Sequence, residues 1–387
     1  MLRLLSVLIL AILLVGCAGA PERELSHTSF SYATLPNGYN PLDPDNLARP
    51  VSREGAIPYY ENLRGHALNI LQLSGGGQYG AFGAGFINGW RKAGTLPEFD
   101  IVTGVSTGAL LATHTFLGTP ADDVVLEEMF TTIHASDIYK KRGMIGLIFG
   151  SNSVYDTSPL KGLIDKYITE ELLQRVVAAH NEHRRIYVGT TNMDYQQTWV
   201  WNMGEIAIQG TPEALELYKK VLRASASPPI AFPPVEIAGH LFADGGVRQN
   251  IVVVGLAGKE KPKPPKYGPG TIYVVHNGQD SRPPHAIRND AIHIAGPILE
   301  TMLTNSMHSL LMRSYYAAHA RGYNFRLVAI PDDLNVGHNA LAFNQEQMQG
   351  TFNVGYKLGQ TPDPWSRKPD VMEDIPDWAL DASHRLP

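Results

Sequence analysis

Gly104-Val105-Ser106-Thr107-Gly108 fits G-x-S-x-G. Glycines on either side of a serine allow a turn sharp enough to lift its hydroxyl clear of the backbone, where it serves as a nucleophile. A helix that opens directly behind the turn points its N-terminus at the site and favours developing negative charge. Upstream, Ser74-Gly75-Gly76-Gly77-Gln78-Tyr79-Gly80 brings three successive glycines. The N–H groups of Gly75, Gly76 and Gly77 are unshielded and suit an oxyanion hole. Downstream, Asp244-Gly245-Gly246 places a carboxylate on a tight turn. In isolation it reads as an ordinary Asp-Gly turn, and it gains weight from the company of the other two motifs.

Those three motifs need elements to hold them. Residues 67–73 form a short apolar run that ends in the glycines, which predicts a buried strand. Residues 78–94 then read as a Gly/Ala-rich helix, 99–105 as a second strand and 107–117 as a second helix. Further strands are expected over 185–190, 199–203, 241–243, 271–275 and 325–330, and a long helix over 298–320. Trp199 and Trp201 fall on one face of their strand. Thr211-Pro212-Glu213 opens another helix with an N-cap, a proline at the first position and an early acid; Leu215, Tyr218, Val221 and Leu222 form its apolar stripe. Strand and helix in alternation predict an α/β fold, a mainly parallel central sheet between two helical layers.

Gly75-x-Gly77-x-x-Gly80 also spells a dinucleotide-binding fingerprint. That motif needs an acid at the carboxyl end of the second strand. Asp100 has the spacing but stands at the start of that strand, which ends instead in the serine turn. The nucleotide reading is therefore set aside.

The order GGG loop, G-x-S-x-G, D-G-G resembles the patatin-like phospholipases over residues 66–356. Ser153-Val154-Tyr155-Asp156, the 224–228 run before Phe232-Pro233-Pro234-Val235, and a closing helix through Met348, Phe352, Gly355 and Tyr356 agree with it. The resemblance implies a three-layer α/β sandwich and a Ser–Asp dyad in place of a triad. Ser106 is then the nucleophile and Asp244 its base, with backbone donors from Gly75, Gly76, Gly77 and Thr107. It implies a lipid or other acyl-ester substrate, no cofactor and no metal. Two departures stand out. Ser74 and Tyr79 occupy positions where the family usually has an acid and an arginine, so a positive charge near the site is lost. Asn250 is retained, but Ile251-Val252 lacks the proline that often follows.

Arg3 and the apolar residues 4–15 have the shape of a secretory signal, ending in Leu14-Val15-Gly16-Cys17. That tetrapeptide resembles a bacterial lipobox. Residues 1–16 are accordingly read as a signal peptide and Cys17 as the lipidated residue; the bland reading is a small buried cysteine in an uncleaved anchor. Ala18 in place of aspartate implies sorting to the outer membrane, facing the periplasm. Residues 17–65 read as a tether, 66–358 as the catalytic domain and 359–387 as a tail. Lysines and prolines alternate over 258–270, as in a polar surface loop. The 144–149 segment (MIGLIF) reads as core packing, with a substrate-facing lid as the alternative.

The chain has 387 residues, 44% hydrophobic and 18% charged, the make-up of a folded globular protein. A net charge of −5 gives no basis for nucleic-acid binding. With one cysteine, no intrachain disulfide and no Cys-based zinc site can form. His114, His134, His180 and His183 read as surface or packing residues, and Asp194 as a second-choice carboxylate. A Ser-His-Asp esterase that recruits His276 is the competing enzyme reading. A non-catalytic binding module on the same fold is the third.

Overall fold

In the computed structural model the described residues are 56–58, 64–142, 152–257, 267–281 and 291–372. The sorting segment with Cys17, the 144–149 run, the lysine-proline loop up to residue 266 and residues 373–387 lie outside them.

The main sheet has eight strands: β1 (Asn69–Leu73), β2 (Ile101–Val105), β3 (Arg185–Asn192), β4 (Gln197–Asn202), β5 (Val235–Ile237), β6 (His240–Asp244), β7 (Thr271–His276) and β8 (Asn324–Ala329). Their order is β8-β7-β1-β2-β3-β6-β5, with β4 also on β3. The first five strands in that order run parallel, while β4 and β6 are antiparallel to β3. Parallel strands need crossovers, and helices supply them. They are α1 (Gly80–Lys92), α2 (Thr107–Leu117), α3 (Pro120–Thr131), α4 (Ser158–Tyr167), α5 (Glu170–Asn181), α6 (Pro212–Ser225), α7 (Ala291–Ala320) and α8 (Gln345–Gly359).

Alternation along the strands splits the core in two. Leu71, Leu73 and Val102 pack under α1, α2 and α8, in a cluster that also takes in Phe82, Phe116 and Phe352. Ile70, Ile101 and Val105 point the other way and meet Met307, Leu310 and Leu311 of α7. Apolar residues on both faces make each central strand a near-continuous hydrophobic run, as a sheet covered on both sides requires. The result is the expected three-layer α/β sandwich with a mostly parallel sheet.

The elements depart from the sequence reading chiefly at their ends. The first helix opens with a 3-10 turn, Gly77–Tyr79, before α1. Helix α7 begins at Ala291, seven residues earlier than its apolar pattern indicates. Thr211 caps α6 as expected, accepting a hydrogen bond from the Ala214 N–H, but the buried stripe also includes Ala214 and Leu217. Trp199 and Trp201 are both buried in one cluster, 6.0 Å apart between ring centroids. Part of the expected tether pairs with the fold, Ala56–Pro58 lying parallel to Val253–Ala257 with a shift of register between Ile57 and Pro58. The expected tail also belongs to the fold as far as residue 372. Trp365 packs edge-on against Trp90 and Phe86, and Met372 is fully buried. Aromatic contacts of this kind outweigh the local Pro/Asp-rich composition that suggested a free end.

Candidate active site

Three neighbouring parallel strands end at one edge of the sheet. Leu73 pairs with Gly104 on one side and with Val275 on the other, so Ser74, Ser106 and His276-Asn277 emerge side by side. The carboxyl edge of a parallel sheet is where such folds place their ligands.

Ser106 sits between β2 and α2 at φ 54°, a conformation that costs a non-glycine residue roughly 1–3 kcal/mol. The flanking glycines make the turn possible. A Cβ at Gly104 would strike the carbonyl of Gly108, and one at Gly108 would strike the carbonyls of Leu73 and Ser74. The backbone of Ser106 is held in place by its N–H, which donates to Ser225 Oγ at 2.9 Å, while Ser225 Oγ donates to the Gly189 carbonyl at 2.7 Å. Ser225 is fully buried at the end of α6.

Asp244 ends β6. Strand β2 pairs with the first part of β3, up to Val105 opposite Gly189; β6 then takes over the ladder, with Asp244 opposite Thr190. The carboxylate therefore lies where the next β2 residue would have continued, and Ser106 Oγ donates to Asp244 Oδ2 at 2.6 Å. Its other oxygen accepts from the Gly246 N–H at 2.7 Å. Its own backbone is pinned by the Ser227 carbonyl and by the Thr191 hydroxyl, which donates to the Asp244 carbonyl at 2.9 Å. Burial pushes the Asp244 carboxyl up to about 7, and the hydrogen bonds from Ser106 and Gly246 only partly pull it back.

The glycine loop lies against both groups. A Cβ at Gly75 would meet Asn250 Oδ1 and, at 2.9 Å, Ser106 Cβ. A Cβ at Gly76 would strike the Asn277 carbonyl, and one at Gly77, where φ is 57°, the Ala340 carbonyl. The Gly75 N–H is occupied, donating to the Asn250 carbonyl at 3.2 Å. Its part is to allow close approach. The N–H groups of Gly76, Gly77 and Thr107 have no acceptor among the described residues. Ser74 and Asn277 brace the loop: the Asn277 N–H donates to Ser74 Oγ, its Nδ2 to the Ser74 carbonyl, both at 2.8 Å, and its Oδ1 accepts from the Gly83 N–H at 3.0 Å.

No histidine stands between Ser106 and Asp244. His276 lies 3.3 Å from Ser74 Oγ through Nδ1 and 3.8 Å from Asp280 through Nε2. Asp194 is engaged elsewhere, 3.1 Å from His240 Nδ1 and accepting from the Leu241 N–H. His114 and His180 are buried beside carboxylates, Asp122 at 2.9 Å and Glu205 at 3.1 Å; His134 and His183 are exposed. Ser225, Ser227, Thr191 and Asn277 were not singled out from the sequence as site residues. A serine two residues into a small-residue run carries no local mark of its target, which lies far away along the chain.

Ser106 and Asp244 open onto a cavity of about 960 Å³, near the top of the ~300–1,000 Å³ range of small-ligand sites. Leu110, Phe130, Ile138, Leu160, Ile164 and Leu222 are among the apolar side chains in its wall. No lysine or arginine lines it among the described residues. Tyr79 is buried, and its hydroxyl donates to the Gly337 carbonyl at 2.9 Å. Among the described residues no group of three or more His, Cys, Asp or Glu side chains is placed to hold a metal ion. A hydroxyl in contact with a carboxylate, beside N–H groups without acceptors, is equipped for nucleophilic attack on a carbonyl.

Residues 71–256 match the family described as patatin-like phospholipase. That match supports lipid acyl hydrolysis as an activity of this domain. Among solved structures the chain is similar to VipD from Legionella pneumophila, 12% identical, covering 75% of this chain and 67% of that one with a TM-score of 0.37. It is also similar to a chain of the complex of full-length SpcU with full-length ExoU from the type III secretion system of Pseudomonas aeruginosa. There the identity is 15%, the coverage 76% of this chain and 53% of that one, and the TM-score 0.33, so the chain spans about half the length of that second relative. Comparison with curated proteins found no match.

Proposed function

We propose that this protein hydrolyses acyl esters of lipids through a Ser106–Asp244 dyad. The observation that carries the reading is the direct 2.6 Å hydrogen bond from Ser106 Oγ to Asp244, made at the mouth of an apolar cavity. In the first step Asp244 takes the Ser106 proton while Oγ bonds to the ester carbonyl carbon. The Gly76, Gly77 and Thr107 N–H groups hold the oxyanion. Collapse of the tetrahedral species breaks the ester C–O bond, and the departing alkoxide takes the proton from Asp244. Water then attacks the acyl-serine, gives its proton to Asp244, and the fatty acid leaves as Ser106 recovers its hydrogen.

A carboxylate is a weak base for a serine hydroxyl in water. Burial narrows the gap by raising Asp244 to about 7, nearer the working pH at which a general base is most effective. With no lysine or arginine in the described cavity wall, and Tyr79 where the family usually has arginine, neutral and zwitterionic head groups are accepted. Fluorophosphonate labelling of the purified protein, followed by mass analysis of products from a panel of phospholipids and p-nitrophenyl esters, tests the reading. Labelling at Ser106 with fatty-acid release supports it; absence of both sinks it. A strict need for an anionic head group would sink the substrate argument alone.

The proposal extends to location. Cys17 carries the lipid anchor after loss of residues 1–16, and the enzyme works on the periplasmic face of the outer membrane. The support is the LVGC sequence behind a short apolar run. Radioactive fatty acid fed to cells should label the wild type and not Cys17→Ser.

A further inference from the structure

Ile230 is penalised twice where it stands. The residue is 78% exposed, and its backbone has φ 71°, a conformation in which a β-branched residue is a rare outlier. The chain cannot relax there. The Ile230 carbonyl accepts from the Val154 N–H and the next carbonyl, of Ala231, from the Tyr155 N–H, both at 2.9 Å. Asparagine or glycine would relieve both penalties. An isoleucine held outward in this way fits a surface that is covered when the protein works.

What surrounds it indicates the cover. Val247, 50% exposed on the turn after Asp244, and Leu303, 39% exposed on α7, border the same cavity as Ile230, so three exposed apolar side chains from three elements flank its mouth. Cations adjoin them. Lys140 and Lys141 are exposed on the strand paired with Tyr155–Asp156, and the Arg142 N–H donates to the carbonyl of Val154, the residue bonded to Ile230. Asp156 faces this cluster and Asp137 borders the same surface hollow as Lys140, and the two offset part of its charge. Arg248, exposed, follows Val247.

We propose that this rim is a docking surface for an anionic lipid bilayer. The inference rests on the acyl-hydrolase reading, since it takes the cavity as the destination of the acyl chain. Apolar side chains that insert between head groups, ringed by lysine and arginine that meet lipid phosphates, form the two-part signal by which peripheral proteins hold a membrane. Seating the mouth in the bilayer lets an acyl chain pass from lipid to cavity without crossing water.

The test uses the full chain with Cys17→Ser, which removes its only cysteine and its anchor site. Single cysteines are then introduced as Ile230→Cys, Val247→Cys or Glu182→Cys and labelled with an environment-sensitive fluorophore. Glu182 precedes β3 and so lies at the opposite edge of the sheet. On adding mixed phosphatidylethanolamine–phosphatidylglycerol vesicles, emission at 230 and 247 should shift to the blue and rise about twofold or more, with none of this at 182. Equal responses at all three positions, or none, would overturn the proposal. So would a shift at 230 on raising protein concentration without lipid, which assigns the face to a second copy. A separate arm needs no label. Ile230→Asn should lower the ratio of bilayer-phospholipid turnover to soluble short-chain ester turnover about tenfold while raising Tm, because asparagine accepts positive φ. An unchanged ratio would count against docking. If the wild type turned over neither substrate, the hydrolase reading would fail while the fluorescence arm still decided the surface.

Discussion

Asp244 faces Thr190 across the ladder, one position beyond the Val105–Gly189 pair with which β2 ends. Two strands thus share one edge of β3, and the point where one gives way to the other is where serine meets carboxylate. This placement needs no loop to swing in: both groups hang from strand ends held by ladder hydrogen bonds. It also brings Ser106 Oγ to Asp244 directly, with no histidine between them, as the proposed dyad requires.

The first prediction follows from that contact. Ser106→Ala and Asp244→Asn should each reduce kcat by at least ~10³-fold, and the double variant little further, because the pair acts as one unit. His276→Ala, whose ring lies against Ser74 and Asp280, should cost less than about tenfold. Steady-state kinetics on a p-nitrophenyl ester, with circular dichroism to verify folding, checks this. An active Asp244→Asn beside a dead, folded His276→Ala would restore a triad.

Much of this was legible in the sequence because the three motifs carry strong local constraints. A serine forced to positive φ needs Gly104 and Gly108 beside it, and the loop pressed against Ser106 needs glycine at 75 and 76, so these positions are marked by residue type. The braces were not. Ser225 and Asn277 act on residues 119 and 203 positions away, through single hydrogen bonds that any serine or asparagine could make. The same holds for Gly75, whose sequence reads as an oxyanion donor like its neighbours. Only the position of the Asn250 carbonyl reveals that its N–H is already used. Residues 360–372 were misjudged for a related reason: composition records Pro and Asp but not that Trp365 meets Trp90 and Phe86.

Activity should rise with pH. In the proposed mechanism the working form needs Asp244 ionised, and burial has pushed it up to about 7, so kcat/KM should climb through a single midpoint near that value. The stability sign is opposite. A carboxyl raised in the folded state stabilises the fold fully below its ordinary value of about 4, and this contribution is lost as pH rises through about 7. Asp244→Asn should therefore be more stable than the wild type above pH 7, by up to ~4 kcal/mol, with the difference shrinking toward pH 4. Paired thermal melts across pH measure it. A wild type that gains on the variant as pH rises would contradict the burial argument.

Gly76→Ala should fold poorly or lose the oxyanion donors, since its Cβ would overlap the Asn277 carbonyl, which is backbone and cannot swing aside. Where the variant folds, the Gly76 and Gly77 N–H groups shift and kcat should fall about 10²–10³-fold, the usual consequence of losing such a donor. Rates of fluorophosphonate labelling at Ser106 should fall with it. Wild-type kcat in a folded Gly76→Ala protein would remove this loop from the mechanism.

Ser225→Ala separates holding the nucleophile from being it. Ser225 Oγ accepts the Ser106 N–H and donates to the Gly189 carbonyl, and the residue is fully buried, so no water replaces it easily. Alanine leaves a donor and an acceptor unsatisfied, which costs roughly 1–3 kcal/mol for each group. Tm should fall accordingly. The Ser106 turn, already at φ 54°, loses the bond that opposes its relaxation, so Oγ drifts from Asp244. Misplacement of the nucleophile should lower kcat about 10- to 10²-fold while KM stays near the wild-type value, because the apolar cavity is untouched. Ser225→Thr keeps the hydroxyl and should recover part of the rate. A Ser225→Ala protein that loses Tm but keeps full kcat would show that Ser225 supports the fold without positioning Ser106.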